Sequence, residues 1–242
     1  MGSGSCGCVR ALIEAGAEVG SQDAGGETPL CAAARLGRTE CLVLLIEAGA
    51  DVEHRNSDGT TPLMLAAQSD NDECVERLVM GGAALDVICP AGRSALVWSA
   101  QRGSARALEA LLKAGASHGV GAPASAAAEG GQLACLRRLL AAGADPDARD
   151  ACGHTALLVA AKAGRLSELV ELVEHTACDM FARGHDGRGA MFLARIGGHS
   201  QCQDYMRSCA PDWDQAMAER EKELLGTVTE SPRAPRRPGA RI

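Results

Sequence analysis

Aromatic side chains are nearly missing from this chain of 242 residues: two Phe, two Trp and one Tyr make 2% of it, although 46% of its residues are hydrophobic. Rings to clamp a flat cofactor or stack on a base are therefore scarce. Any core must be built of Ala, Leu, Val and Cys, side chains that suit closely packed helices. No run of ~18 apolar residues is present to span a membrane, and residues 1–9 (MGSGSCGCV) lack the basic start and apolar stretch of a secretory signal. The cytoplasm is the expected location, with the nucleus open. Catalytic phrases are lacking too. There is no G-x-S-x-G, no phosphate or dinucleotide loop, and no metal-binding pair among His54, His118, His154, His175, His185 and His199. Carboxylate pairs such as Asp70/Asp72 and Glu73/Glu76 read as solvated helix ends. The sequence predicts a protein that is not an enzyme and carries no cofactor.

What the chain does have is repetition. Gly26-Glu27-Thr28-Pro29-Leu30 recurs 33 residues on as Gly59-Thr60-Thr61-Pro62-Leu63, and more loosely as Gly92-Arg93-Ser94-Ala95-Leu96, Gly153-His154-Thr155-Ala156-Leu157 and Gly187-Arg188-Gly189-Ala190-Met191. A second phrase travels with it: LIEAGAEV from Leu12, LIEAGADV from Leu45, LVMGGAAL from Leu78, LLKAGASH from Leu111 and LLAAGADP from Leu139. Self-similarity at a fixed period marks a stacked array. Within one unit Thr28 suits an N-cap and Pro29 the first turn, so a helix is predicted through Ala32, Ala33 and Ala34, ended by Gly37. A second helix, capped by Thr39, should bury Cys41, Leu42, Leu44 and Leu45 and stop at Gly49. The polar stretch 51–59 then crosses to the next unit as a turn. One such helix pair cannot bury its own apolar face, so neighbours must stack.

The pattern resembles the ankyrin repeat, with its Gly-x-Thr-Pro-Leu-His phrase, paired Ala, paired Leu and Gly-Ala, over roughly residues 4–206. The resemblance implies an all-α solenoid of helix-turn-helix units with short β-turn fingers. The reading is an array over 1–208: a half unit at 4–22, then units at 23–55, 56–88, 89–118, 119–149, 150–183 and 184–208. The series opens in mid-unit, since residues 4–19 match only a second helix, so the chain is a piece of a longer array or exposes its first helix. The family's His is replaced by Cys31, Met64, Val97, Ser125, Leu158 and Phe192, which leaves cohesion to packing. Between Gly115 and Gly143 the spacing shrinks to 28, five short, which removes a finger ahead of Pro123 and predicts a notch in the surface.

Family members generally bind proteins through a concave face of finger tips and first helices. On matching positions that implies contacts from Glu27, Arg35, Leu36, Arg55, Ser57, Asp58, Thr60, Gln68, Ser69, Ile88, Arg93, Gln101, Arg102, Arg149, Cys152, His154 and Lys162, with Ala24 and Glu129 beside them. A non-catalytic protein-binding module is thus expected, acting as a monomer. The alternative is an adaptor that selects a client for a larger machine such as a ubiquitin ligase. Charge is striped: Lys and Arg against Asp and Glu number 5 and 14 over residues 1–91, 9 and 5 over 92–165, 6 and 11 over 166–226, and 4 and 1 over 227–242. Such fields bias which partner docks, so a partner with a basic part is expected on the first three units, around Glu27, Glu53 and Asp58. A middle stripe of four excess positive charges without aromatic stacking argues against nucleic acid.

Eleven cysteines without an export signal read as reduced thiols. Cys8, Cys41 and Cys74 lie 33 apart, and Cys135 and Cys202 hold the same slot, where a small apolar side chain is wanted. Cys6-Gly7-Cys8 lacks the second pair of a zinc site. Cys152, in a finger tip, should be exposed. Residues 209–226 contain Trp213, Met217, Arg220 and Leu224 at near-helical spacing and are predicted to cap the stack. Residues 227–242, rich in Pro and Arg with a loose polyproline pattern at Pro232, Pro235 and Arg237, are predicted to be disordered.

Overall fold

The computed structural model describes residues 3–210, with side-chain burial from residue 6. The predicted capping helix, beyond Ala210, and the Pro/Arg-rich tail lie outside the described residues. Within them a single helix, α1 (Ser3–Glu14), is followed by six pairs. These are α2 (Pro29–Arg35) with α3 (Thr39–Glu47), α4 (Pro62–Gln68) with α5 (Asp72–Met80), and α6 (Ala95–Arg102) with α7 (Ala105–Lys113). Then come α8 (Pro123–Gly130) with α9 (Leu133–Ala141), α10 (Ala156–Ala163) with α11 (Leu166–His175), and α12 (Ala190–Ile196) with α13 (Ser200–Cys209). The described residues hold no sheet, only an isolated antiparallel bridge between Arg183 and Gly189.

The first helix of a pair begins where a hydroxyl stops the backbone. Thr28, Thr61, Ser94 and Thr155 are extended, and each accepts the N–H three residues on, at Cys31, Met64, Val97 and Leu158, over 3.4 Å. Pro29 and Pro62 occupy the first turn, where no N–H is needed. Ala-rich stretches then let these helices be buried nearly all round, as residues 62–67 are. The second helices are amphipathic. In α3, Cys41, Leu42 and Leu45 are buried while Leu44 is only half-buried.

Thr39 does not cap α3. The N-cap is Arg38, and the Thr39 hydroxyl, one residue inside, meets the Glu73 carboxylate at 3.3 Å and the Cys74 thiol at 3.5 Å in the next pair. In α5 and α13 the N-cap side chain turns backward along the stack instead. Asn71 Nδ2 donates to the Ala34 and Arg35 carbonyls at 2.9 and 3.0 Å, and His199 Nε2 bonds the Lys162 carbonyl at 3.1 Å. These bonds use carbonyls left open at the ends of first helices. They supply polar ties between units where packing alone was expected.

First helices pack on first helices and second on second, in chain order, and the first-helix layer is the closer packed. The stack is therefore shorter along that layer and bends toward it. Fourteen residues join each second helix to the next first helix, except between α7 and α8, where residues 114–122 make nine. The short link leaves no room for a finger. Ala122 stands where Thr or Ser caps α2, α4, α6 and α10, in a left-handed conformation (φ 51°) and, like Gly189 before α12, without a side-chain cap bond. Here α6 on α8 is the most extensive contact of the inner layer and α7 on α9 the slightest of the outer one, so the bend is sharpest at this joint. The small residues of α8 permit it: a Cβ on Gly130 would collide with the Gln101 carbonyl oxygen. The flanking fingers close over the gap, where a Cβ on Gly92 would lie 3.8 Å from that of Ala151. The space of the missing finger is narrowed there, and a pocket remains at the place of the expected notch.

Cys41, Cys74, Cys135 and Cys202 are buried in the core, but Cys8 is exposed. The first helix has a neighbour on one side only, and the face it packs carries Cys6, Val9 and Ile13. Cys6 Sγ lies 2.7 Å from Cys41 Sγ, and this bond together with burial pushes the Cys6 thiol up to about 11.

Candidate functional site

The fingers owe their shape to an acceptor side chain at their base. Asp23 Oδ1 accepts the N–H of Gly25 and Glu27, Asn56 Oδ1 those of Asp58 and Thr60, and Asp150 Oδ1 those of Cys152 and His154. Neighbouring fingers also touch, as where Ser57 N–H donates to the Gly25 carbonyl at 3.0 Å. Together with the ends of the first helices they form one face, and the residues expected to meet a partner fall on it.

Arg55, Ser57, Asp58, Ser69, Arg102, Arg149, Cys152 and Lys162 are exposed, while Thr60, Gln68, Arg93, Gln101 and His154 are half-buried. Leu36 and Ile88 are 57% and 48% exposed, which leaves them as apolar points on a polar surface. Several of these residues already have partners within the chain. Arg35 pairs with Glu27 at 3.0 Å, and Glu53 accepts the Ala84 N–H at 2.6 Å. Arg93 donates to Gln101, which donates to Glu129, at 2.9 and 2.8 Å. Arg149 bonds the Gly153 and Arg183 carbonyls at 2.6 and 2.7 Å, tying two fingers together. Of the three carboxylates expected to attract a basic partner, Glu53 and Asp58 are exposed and Glu27 is half-buried.

Asp150, Cys152 and His154 bring a carboxylate, a thiol and an imidazole within 4.8 Å of one another, a donor set of the kind that could hold a metal ion. One carboxylate oxygen is spent on the finger's own N–H groups, and the other lies 3.9 Å from His154 Nδ1.

Beneath the closed fingers at the short joint is a pocket of about 330 Å³. Val97 and Trp98 of α6, Ala122, Ser125 and Ala126 around α8, and Val159 of α10 form its walls. The guanidinium of Arg93 lies 4.5 Å from the centre of the Trp98 ring. Trp98 Nε1 and Ser125 Oγ are buried and find no hydrogen-bond partner among the described residues. Sequence reasoning missed this pocket. Its one signal was Ser125, a hydroxyl among alanines in a slot that other units fill mostly with apolar side chains. A wider cleft of about 610 Å³ lies on the second-helix side between α9 and α11, and its main charged pair, Arg137 and Glu171, is closed at 2.8 Å.

A family model described as ankyrin repeats in three copies matches residues 1–88 and 49–122, and one described as ankyrin repeats in many copies matches residues 124–174. The two sets of matches part at the short joint. Among solved structures, that of the human ASB11 ankyrin repeat domain superposes with a TM-score of 0.74 at 23% identity, covering 85% of this chain and 94% of that one. This likeness speaks for the fold. No curated protein matches the sequence.

Proposed function

The chain belongs to the ankyrin repeat family, a protein-interaction fold, and from that premise we propose that it is a non-catalytic module that holds a protein partner on the face of fingers and first helices. The observation that supports this most is the contrast between a closed Ala/Leu core and a face that leaves Leu36 and Ile88 open among polar finger tips. Net charge supports a partner with a basic part over the first three units, where acidic residues outnumber basic ones by 14 to 5. No helix among the described residues is long and apolar enough to cross a membrane.

The test is capture of binding proteins by the intact chain and by a variant carrying Asp58→Asn and Ile88→Ser, positions whose side chains hold little of the fold together. Proteins lost with the variant, and released progressively as salt rises, are the expected result. Proteins retained equally by both chains and indifferent to salt would refute the assignment of face and charge.

A further inference from the structure

We propose that the pocket under the closed fingers takes one residue of an extended segment of the partner protein, gripped by its backbone peptide group. This rests on the protein-binding reading and adds the chemistry of what is bound. Two independent observations meet here. The chain has one link that is five residues shorter than the rest, and the space it vacates is the pocket. Trp98 Nε1 and Ser125 Oγ, buried polar atoms without a partner among the described residues, both belong to residues that line it. Buried polar groups in native proteins are almost always bonded, so an unbonded pair at one pocket points to a ligand.

The donors and acceptors restrict that ligand. An indole N–H only donates, whereas a hydroxyl can also accept. A peptide group answers both, with its carbonyl for Trp98 and its N–H for Ser125. An ammonium has no acceptor to offer Trp98. A carboxylate would have to approach Glu129 and Asp150, which line the same pocket with Arg93 as its one cation. Val97, Ala122, Ala126 and Val159 leave the remaining wall to a small apolar side chain. A volume of about 330 Å³ stands at the small end of the roughly 300–1,000 Å³ typical of ligand sites, suited to a single inserted residue. An extended backbone also suits the place, because each other joint fills the corresponding space with a turn of this chain.

The experiment pans a phage-displayed library of linear peptides against the full chain and compares Trp98→Phe, which keeps a ring and removes the N–H, with Ser125→Ala. Selected peptides should bind each variant about three- to tenfold more weakly, the loss expected for one hydrogen bond. Ser125→Ala should melt at or above the wild-type temperature, since no bond is lost, whereas Trp98→Phe should lose only the packing of the larger ring beneath Arg93. An ester in place of the inserted peptide link should weaken binding to the wild type distinctly more than to Ser125→Ala, which separates a backbone ligand from an Asn or Gln side chain. Peptides that ignore both variants yet are lost with Asp58→Asn and Ile88→Ser would overturn the pocket and leave the protein-binding reading standing. A library that yields no binder would overturn the pocket inference alone, since capture of proteins by the intact chain tests the protein-binding reading separately. A clear fall in the melting temperature of Ser125→Ala would show its hydroxyl bonded in the free chain, and would also overturn the inference.

Discussion

At Gly130 one added methyl group has no free space to enter. The inner helices α6 and α8 meet there at backbone distance. A Cβ on Gly130 would run into the carbonyl oxygen of Gln101 and lie 3.1 Å from its carbonyl carbon. The obstacle is backbone, so no rotamer change relieves it and the helices must move apart. Overpacking against fixed backbone falls in the upper part, ~2–3 kcal/mol, of the usual overpacking range, while alanine's better helix propensity returns ~1 kcal/mol. A net loss of about 1–2 kcal/mol converts to a melting temperature lower by roughly 2–8 °C for a chain of this size. Because each unit touches only its neighbours, the loss falls on one joint and should broaden or split the urea transition. Circular dichroism during heating and urea titration measures both effects. Gly7→Ala in α1, where an added Cβ meets nothing within 4 Å, is the control and should not destabilise. A Gly130→Ala chain as stable as the wild type, with a single sharp transition, would refute the account of close approach.

Three further outcomes are expected. Ala122→Gly relieves a left-handed alanine, ~1–2 kcal/mol, but gives up a buried methyl and chain stiffness of similar size, so thermal melts should place it within about 1 kcal/mol of the wild type. Thr61→Ala removes a hydroxyl that caps α4 and should cost ~1 kcal/mol, whereas Thr39→Ala removes no cap and should cost distinctly less. Burial raises the thiol pKa values of Cys74, Cys135, Cys178 and Cys202. A group with a raised folded-state pKa contributes its stability below the unfolded value and loses it as pH rises through the folded one. The melting temperature should therefore decline above about pH 8.5, and less steeply in a Cys74→Ala chain, as scanning calorimetry across that range would show.

The stacked order was legible because its signals are local and recur: a hydroxyl followed by Pro-Leu starts a helix in any unit, and a Gly past the paired leucines ends one. Thr39 misled because cap and first helical residue differ by one position, and what decides between them is Arg38, which adopts the cap backbone without offering a side-chain bond. Cys8 misled because the period fixes a slot only where both neighbours exist, and α1 has a neighbour on one side. The pocket was beyond reach for a different reason. Val97, Ser125 and Val159 come from three units, and what gathers them is the absence of residues, whose effect on the flanking fingers is a matter of three-dimensional closure. The internal pairing of Glu27, Arg35 and Arg149 was equally hidden, since spacing along the chain says nothing of which exposed charge has already found its match.

The sharp bend at the short link has a mechanical consequence. An arc pulled by its ends straightens first where its curvature is greatest, and here that is the joint between α6 and α8. Straightening would draw Gly92 away from Ala151 and unroof the cavity below, so tension along the array and occupancy of that cavity would oppose each other. A bound segment would act as a strut that stiffens the arc, and a stretched arc would let its cargo go.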